Sequence, residues 1–418
     1  MGAGFLGGKC IVNGCIPAKA MIYATKLYKD TLNAYRFGIS IKKVDVRFKK
    51  IMKYIHELIN DAIDANEREL AQFDNIDFVR KNGRCINGHS VKVDNEIYNG
   101  KNLLIATGTK PWIPPIEGIE NINYLTHETI FDLKELPKSI AFVGGGFISL
   151  EFANAFNTLG SQVYIIDTND RPIYGADETI STAIKQYYEE DGINFISKSR
   201  TSKISSSSGK CLIETNNGHK IETEKVMIAT GFRANTEGLD LEAAGVETDN
   251  NGNIIVDEYL KTTNPNIYAI GDILGKTQFT HMALRESKLV IHNIFNEKKI
   301  PINFENVPYA VFTNPPIGSI GETEQELKKK KISYKTVMTE FSESSRGNLM
   351  KLKRGILKLI YANNKIFGCH IIGDSADILI HEIVPLIKLK NGLNIFKDLV
   401  HAHPTLSELF RNIQIQIS

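Results

Sequence analysis

The chain has 418 residues, 42% of them hydrophobic and 23% charged, with a formal net charge of +2 at pH 7. That length exceeds one ordinary core and predicts two or three domains, while the near-neutral balance gives no reason to expect a nucleic-acid partner. No apolar run reaches the roughly 18–20 residues that span a bilayer, so no membrane partner is expected, and residues 1–6 carry neither a charged leader nor an apolar signal region.

Five cysteines are few and odd in number, which fits a reducing, cytoplasmic compartment where any disulfide is catalytic rather than structural. Cys85, Cys211 and Cys369 are scattered and read as ordinary thiols; no metal-ligand pattern stands out. Cys10 and Cys15 differ, because they fall within Gly7-Gly8-Lys9-Cys10-Ile11-Val12-Asn13-Gly14-Cys15-Ile16-Pro17-Ala18-Lys19. In a straight helix their Cα atoms would lie roughly 7.5 Å apart along the axis, just beyond the roughly 4.4–6.8 Å of a disulfide. A bend at Gly14 or a loop through Cys10 closes the gap. Spacing alone leaves open a redox pair and two unrelated thiols.

Helical periodicity follows over Ala20–Arg36 and again over Phe48–Phe73, with Ile51, Ile55, Leu58, Ile59, Ile63 and Leu70 as the inward positions. Asp77–Arg80, Ser90–Val93 and Asn102–Ile105 read as strands, the last running into Ala106-Thr107-Gly108. Pro111, Pro114 and Pro115 mark a linker and a change of domain near 112–135. The apolar strand Ser139–Val143 then enters Gly144-Gly145-Gly146-Phe147-Ile148-Ser149-Leu150-Glu151, a helix leaves, and a second strand, Gln162–Ile166, ends at Asp167. This is the βαβ dinucleotide pattern. Gly144 makes the tight turn, and Gly146 lets backbone N–H groups approach a diphosphate at the helix N-terminus. Ser149 stands where Gly or Ala is usual. Asp167 is placed to accept from ribose hydroxyls and to repel a 2′-phosphate, favouring NAD(H).

Ser205–Gly209 reads as a hairpin tip, Val226–Ile228 as a strand reaching a second Ala229-Thr230-Gly231, and Asn266–Ile270 as a strand ending in Gly271-Asp272. A helix is expected from about His281, and a last boundary at Pro301–Asn306. Beyond it, strands at Tyr309–Thr313, Gly355–Tyr361 and Lys365–Ile372 mix with helices at Glu322–Lys331 and Ala376–Leu389, an α+β domain.

Together these pieces resemble the class I pyridine nucleotide–disulfide oxidoreductases, flavoproteins such as dihydrolipoamide dehydrogenase, glutathione reductase and mercuric reductase. The redox motif is similar to Gly7-Gly8-x-Cys10-x4-Cys15-Ile16-Pro17-x-Lys19, and the nicotinamide motif to Gly144–Glu151. The second flavin motif is similar to Thr263-x4-Ile267-Tyr268-Ala269-Ile270-Gly271-Asp272. The dimerisation domain opens with Phe312-Thr313-x-Pro315 and Ile320-Gly321-x-Thr323-Glu324, and the catalytic tail resembles His403-Pro404-Thr405-x-x-Glu408.

The resemblance implies an α/β flavoprotein with two dinucleotide-binding domains and a C-terminal α+β dimerisation domain. Residues 1–120 and 236–305 would form the FAD-binding domain, 121–235 the NAD-binding domain and 306–418 the interface domain. It implies FAD and NAD as cofactors, a homodimer, and electrons moving between NAD(H), flavin and a Cys10–Cys15 disulfide, most like dihydrolipoamide dehydrogenase. The substrate would be a small disulfide or dithiol, including protein-bound lipoamide. Cys15 would be the flavin-side sulfur, Cys10 the interchange thiol, and His403, oriented by Glu408 and supplied by the other subunit, the acid/base. Lys19 would lie near the flavin and pair with Glu151. Asp272 would bind the ribityl chain, and His281, Ala283, Gly108, Gly231 and Gly271 would line the cofactor.

Four departures stand out. Lys9 replaces the usual Thr, which predicts a lowered thiol pKa and altered substrate docking. Val12 stands where the family usually has Asn. The chain ends without a Cys pair, which argues against the mercuric reductase type. The family also places a first βαβ unit of roughly 35 residues ahead of the redox motif, so the flavin domain is expected to be truncated here. Two alternatives therefore stand beside the main reading: another flavin disulfide or metal reductase of this family, and a non-catalytic NAD-binding dimer.

Overall fold

A computed structural model describes residues 6–207 and 209–417. Gly2-Ala3-Gly4 and Ser208 of the hairpin tip lie outside them. The chain divides into two compact units, one holding 6–16, 56–112 and 231–305, the other 17–55, 113–230 and 306–417.

In the first unit, Gly83–Asn87, Ser90–Val93 and Glu96–Asn99 form a three-stranded antiparallel sheet. Asp77–Arg80, expected as a strand, is exposed irregular chain; its residues face water on both sides and have no buried face to favour pairing. Leu103–Ile105 pairs in parallel with Ile267–Ala269. Directly after the first Ala-Thr-Gly, Thr109–Pro111 pairs antiparallel with Phe232–Ala234, which follows the second. Both Gly108 and Gly231 have positive φ and open space on the side where a Cβ would stand.

The second unit holds a four-stranded parallel sheet in the order Lys225–Ile228, Ser139–Val143, Gln162–Ile166, Asn194–Ile196. Ile140, Ala141, Phe142 and Val143 are all buried, as expected of a strand covered on both faces. The helix Phe147–Leu159 is buried nearly all round, and the Tyr188 hydroxyl from the helix Glu178–Glu190 donates to its Leu150 carbonyl at 2.7 Å. A three-stranded antiparallel meander, Thr201–Ser207, Lys210–Thr215 and Lys220–Thr223, adds a separate layer.

The same unit contains a five-stranded antiparallel sheet, ordered Tyr309–Val311, Ile317–Gly321, Lys365–Ile372, Ile356–Ala362, Lys335–Glu340. Its core gathers Ile320, Phe341, Leu359, Ile371 and, from the terminal helix Glu408–Ile417, Phe410. The helix expected over Ala376–Leu389 is three short pieces, Ala376–Leu379, Ile380–Glu382 and Ile383–Leu386. Pro385 lacks an N–H and cannot extend an α-helical ladder through that stretch.

A polar cluster around Lys358 is buried in this unit. The Lys358 ammonium, 1% exposed, donates to Asp177 Oδ1 and Oδ2 at 2.9 and 3.0 Å, to Thr179 Oγ1 at 2.9 Å and to Glu324 Oε2 at 2.5 Å. Burial alone would raise the Asp177 carboxyl, but His370 and the Lys358 contact outweigh it and hold it below its ordinary value. Asp177 also caps the helix Glu178–Glu190 through the Thr179 N–H. Lys358→Met, which strands two carboxylates, lowers stability by about 3–5 kcal/mol in a denaturant titration. Adding Asp177→Asn and Glu324→Gln recovers part of that loss.

Candidate active site

Cys10 lies in a short helix, Gly8–Val12, and Cys15 is the first residue of the long helix Cys15–Asn33. The break falls at Asn13-Gly14, where the Asn13 N–H returns to the Lys9 carbonyl at 3.2 Å. A Cβ on Gly14 would sit 2.6 Å from that carbonyl oxygen, so only glycine fits the bend without displacing backbone. Pro17 is accommodated in the first turn of the long helix, where its N–H is not needed. The pair stands as a dithiol. A hydrogen bond to Cys15, burial and the Cys15 charge push the Cys10 thiol far up, opposed by the Thr280 hydroxyl. A thiolate is therefore disfavoured at Cys10, while Cys15 stands at a helix N-terminus, a position where the helix dipole favours one. Thr280 opens the helix Thr280–Phe295, with its Oγ1 3.6 Å from Cys15 Sγ. Sequence reasoning missed Thr280, because a hydroxyl in a first helical turn carries no mark separating it from an ordinary cap.

The Lys9 side chain has partners outside the cysteine pair. Its ammonium donates to Thr109 Oγ1 at 2.9 Å and lies 4.4 Å from the centroid of the Phe232 ring. Among its neighbours is Asp272, on whose carboxyl the Lys9 charge acts. Asp272 stands just after the strand Ile267–Ala269, in the turn Gly271–Leu274. Burial raises its carboxyl, while Lys9 and a hydrogen bond from Thr109 pull it back. Behind the turn, Glu286 accepts from the Gly271 N–H at 2.5 Å and is itself raised by burial. Ala283 packs on Gly271, and the exposed His281 ring stacks on Phe279 at 5.4 Å. The open space beside Gly108 and Gly231, with a carboxylate, a hydroxyl and an ammonium nearby, fits the polyhydroxyl portion of a flavin dinucleotide.

The nucleotide turn lies in the second unit. Gly144 has φ of 105°, and a Cβ there would stand 2.4 Å from the Ala229 carbonyl oxygen. Gly146, which precedes the helix Phe147–Leu159, carries no side-chain cap, and a Cβ there would meet nothing within 4 Å. Ser149 is fully buried, and its Oγ has no hydrogen-bond partner. Asp167 accepts from the Gly145 N–H on one oxygen and from Asn169 N and Nδ2, at 2.6 and 2.8 Å, on the other. An uncapped helix start with room in front of it and a fixed carboxylate beside it fits a dinucleotide such as NAD.

Glu151, on the same helix, is buried and joined to Lys19 at 2.8 and 3.1 Å; it also accepts the Phe312 N–H at 3.0 Å. The Lys19 ammonium lies 4.8 Å from the Phe312 ring centroid. Lys19 and Phe312 also line a cavity of about 1200 Å³ in this unit.

At the tail, His403 Nδ1 lies 3.0 and 3.1 Å from the two Glu408 oxygens. Glu408 is 2% exposed, accepts the Thr405 N–H at 3.2 Å and pairs with Arg411 at 2.9 Å. The His403 contact holds the Glu408 carboxyl below its ordinary value, so it stays ionised and fixes the proton on Nδ1. The His403 side chain is 63% exposed, leaving Nε2 toward solvent for proton exchange. Thus the structure gathers Cys10, Cys15, Gly108, Gly231, Gly271, Asp272, His281 and Ala283 in one unit. Lys19, Gly144, Gly146, Glu151, Asp167, His403 and Glu408 fall in the other. Among the described residues, no group of three or more His, Cys, Asp or Glu is placed to hold a metal ion, and no helix is long and apolar enough to cross a membrane.

Residues 3–287 match the model of the pyridine nucleotide-disulphide oxidoreductases, and residues 307–413 match the dimerisation domain of the same family. A mercuric reductase of Bacillus cereus is 29% identical over 97% of this chain, which spans 65% of that relative's length. A dihydrolipoyl dehydrogenase of Chlamydia pneumoniae is 30% identical over 97% of this chain and 88% of its own. Among solved structures, the HOCl-induced flavoprotein disulfide reductase RclA of Escherichia coli superposes with a TM-score of 0.90 at 27% identity, covering 99% of this chain and 92% of RclA. Glycine turn, paired cysteines and dimerisation fold agree with these matches: the chain belongs to the pyridine nucleotide–disulphide oxidoreductases, a family of flavoproteins that use FAD and a pyridine nucleotide.

Proposed function

We propose that this chain is the working part of an NADH-dependent disulfide reductase of the dihydrolipoamide dehydrogenase kind, active as a homodimer. The observation that carries the reading is the asymmetry of the dithiol, with Cys10 on a short helix where burial and its neighbour raise its thiol and Cys15 at the start of the long helix beside Thr280. Two sulfurs in different surroundings can do different jobs. Once deprotonated, Cys10 attacks a substrate disulfide, forming a mixed disulfide and expelling one thiolate, which takes a proton from the His403 imidazolium. Cys15 then attacks the Cys10 sulfur, forming the Cys10–Cys15 disulfide and expelling the second thiolate, which takes up the proton that the net reaction draws from solvent. Glu408 holds His403 in the tautomer that this exchange needs. Bound FAD would supply two-electron transfer between nicotinamide and disulfide, so the net reaction is NADH, a proton and a disulfide giving NAD⁺ and two thiols. Gly144, Gly146 and Asp167 would seat NADH; Asp272, Gly108, Gly231, Gly271, His281 and Ala283 would line the flavin; the Lys19–Glu151 pair would tie the redox helix to the nucleotide-binding helix.

Lipoamide is the proposed substrate class on the strength of the motif resemblance to dihydrolipoamide dehydrogenase and of a relative of that activity, from Chlamydia pneumoniae, that is 30% identical over 97% of this chain. A second reading, reduction of another disulfide or of a metal ion, draws on the mercuric reductases and RclA among the relatives.

Stopped-flow and steady-state assays with NADH and lipoamide test the main reading. Turnover is expected in the unaltered protein and is abolished in Cys10→Ser, whereas absence of lipoamide reduction overturns the lipoamide assignment. His403→Gln lowers kcat by roughly 10²–10⁴-fold with little change in NADH affinity. In the reduced protein, thiolate absorbance near neutral pH survives Cys10→Ser and disappears in Cys15→Ser. Asp167→Ser reduces the preference for NADH over NADPH by about ten-fold or more; an unchanged ratio removes Asp167 from nucleotide selection.

A further inference from the structure

We propose that Lys9 belongs to the flavin-binding pocket as the counter-charge that orders Thr109 and Asp272 for the hydroxyl-bearing chain of the cofactor, and takes no part in activating the thiols. The assignment rests on the flavin reading above and adds a residue that motif comparison directs elsewhere, since Lys9 adjoins Cys10 in sequence.

The geometry runs through three groups. The Lys9 ammonium donates to Thr109 Oγ1 at 2.9 Å, so that oxygen's own hydrogen turns to the Asp272 carboxylate. Ammonium, hydroxyl and carboxylate form a polarised chain in which each bond strengthens the next. The Phe232 ring, 4.4 Å below the ammonium, holds the side chain on this course by a cation–π contact. Thr109 and Phe232 lie in the paired strands that follow the two Ala-Thr-Gly turns, and Asp272 lies at the end of the parallel strand Ile267–Ala269. Three separate segments thus converge on the Lys9 side chain.

Charge gives the reason for a cation there. Asp272 is partly buried and has a second carboxylate, Glu286, behind it; each resists ionisation, and Lys276 acts on Glu286 from the same loop. Lys9 is the charge that favours ionised Asp272. An ionised carboxylate accepts strong hydrogen bonds from adjacent hydroxyls, and a protonated one accepts weaker ones.

The test titrates the intact chain with FAD, followed by quenching of flavin fluorescence, in unaltered, Lys9→Met, Asp272→Asn and doubly altered protein. Lys9→Met is expected to weaken FAD binding by about ten-fold, with the loss growing as pH falls and Asp272 takes up a proton. In the Asp272→Asn background the same change has little further effect. The pH profile of iodoacetamide alkylation at Cys10 stays where it is in the unaltered protein. Equal FAD affinity in Lys9→Met, an equal loss in both backgrounds, or an alkylation profile displaced to higher pH each overturns the assignment. An unaltered chain that takes up no FAD overturns the flavin reading and this assignment with it, whereas binding that is indifferent to Lys9 overturns the assignment alone.

Discussion

A single close approach, the Gly14 backbone against the Lys9 carbonyl, sets the chemistry of the redox segment. It ends one helix and starts another within two residues. Cys15 thereby becomes the first residue of a 19-residue helix, while Cys10 stays on the preceding turn as its hydrogen-bond donor. Without that break the sulfurs would lie on a continuous helix, farther apart and in similar surroundings. The break also decides where Lys9 goes. With its carbonyl held by Asn13 and its neighbour Cys10 turned toward Cys15, its side chain leaves for Thr109 and Phe232. One glycine thus sends the side chains of two adjacent residues, Lys9 and Cys10, toward different neighbours.

The second unit solves a different problem, which is to hold charged side chains out of water. Glu151 and Lys358 are each satisfied by several partners: Glu151 by Lys19 and a backbone N–H, and Lys358 by two carboxylates and a hydroxyl. Both clusters join separate stretches of sequence. Glu151 meets residues from the redox helix and from the start of the interface segment, while Lys358 ties the sheet of that segment to the cap of a helix in the nucleotide-binding segment. Breaking either leaves a buried ion uncompensated, which costs far more than a surface pair returns. Burial of charge in this unit therefore fixes how its parts meet.

What the sequence made legible follows from where the physical signal is local. Ser139–Val143, Gln162–Ile166 and Lys365–Ile372 were readable to the residue because apolar runs bounded by glycine or charge leave one reading. Glu96–Asn99 escaped because every position is exposed and shows no alternation. Asp77–Arg80 misled for the converse reason: a strand-like composition with no face to bury. At the site, the glycine turn was legible from its spacing, whereas the pairing of the cysteines and the His403–Glu408 contact were expected only through the family resemblance. The direction of the Lys9 side chain and the place of Thr280 were not legible, because both depend on a helix break and on residues about 100 and 265 positions away.

The fixed carboxylate of Asp167 carries a consequence of another sort. Three donors already hold it in one rotamer, with Gly145 and Asn169 acting as a cradle. A side chain so held has little conformational entropy left to surrender, so on the proposed reading a ribose arriving there would add hydrogen bonds at a small ordering cost. The same rigidity makes the position intolerant. A carboxylate so held would not easily move aside for an extra phosphate, so the proposed discrimination would draw on stiffness as well as on charge.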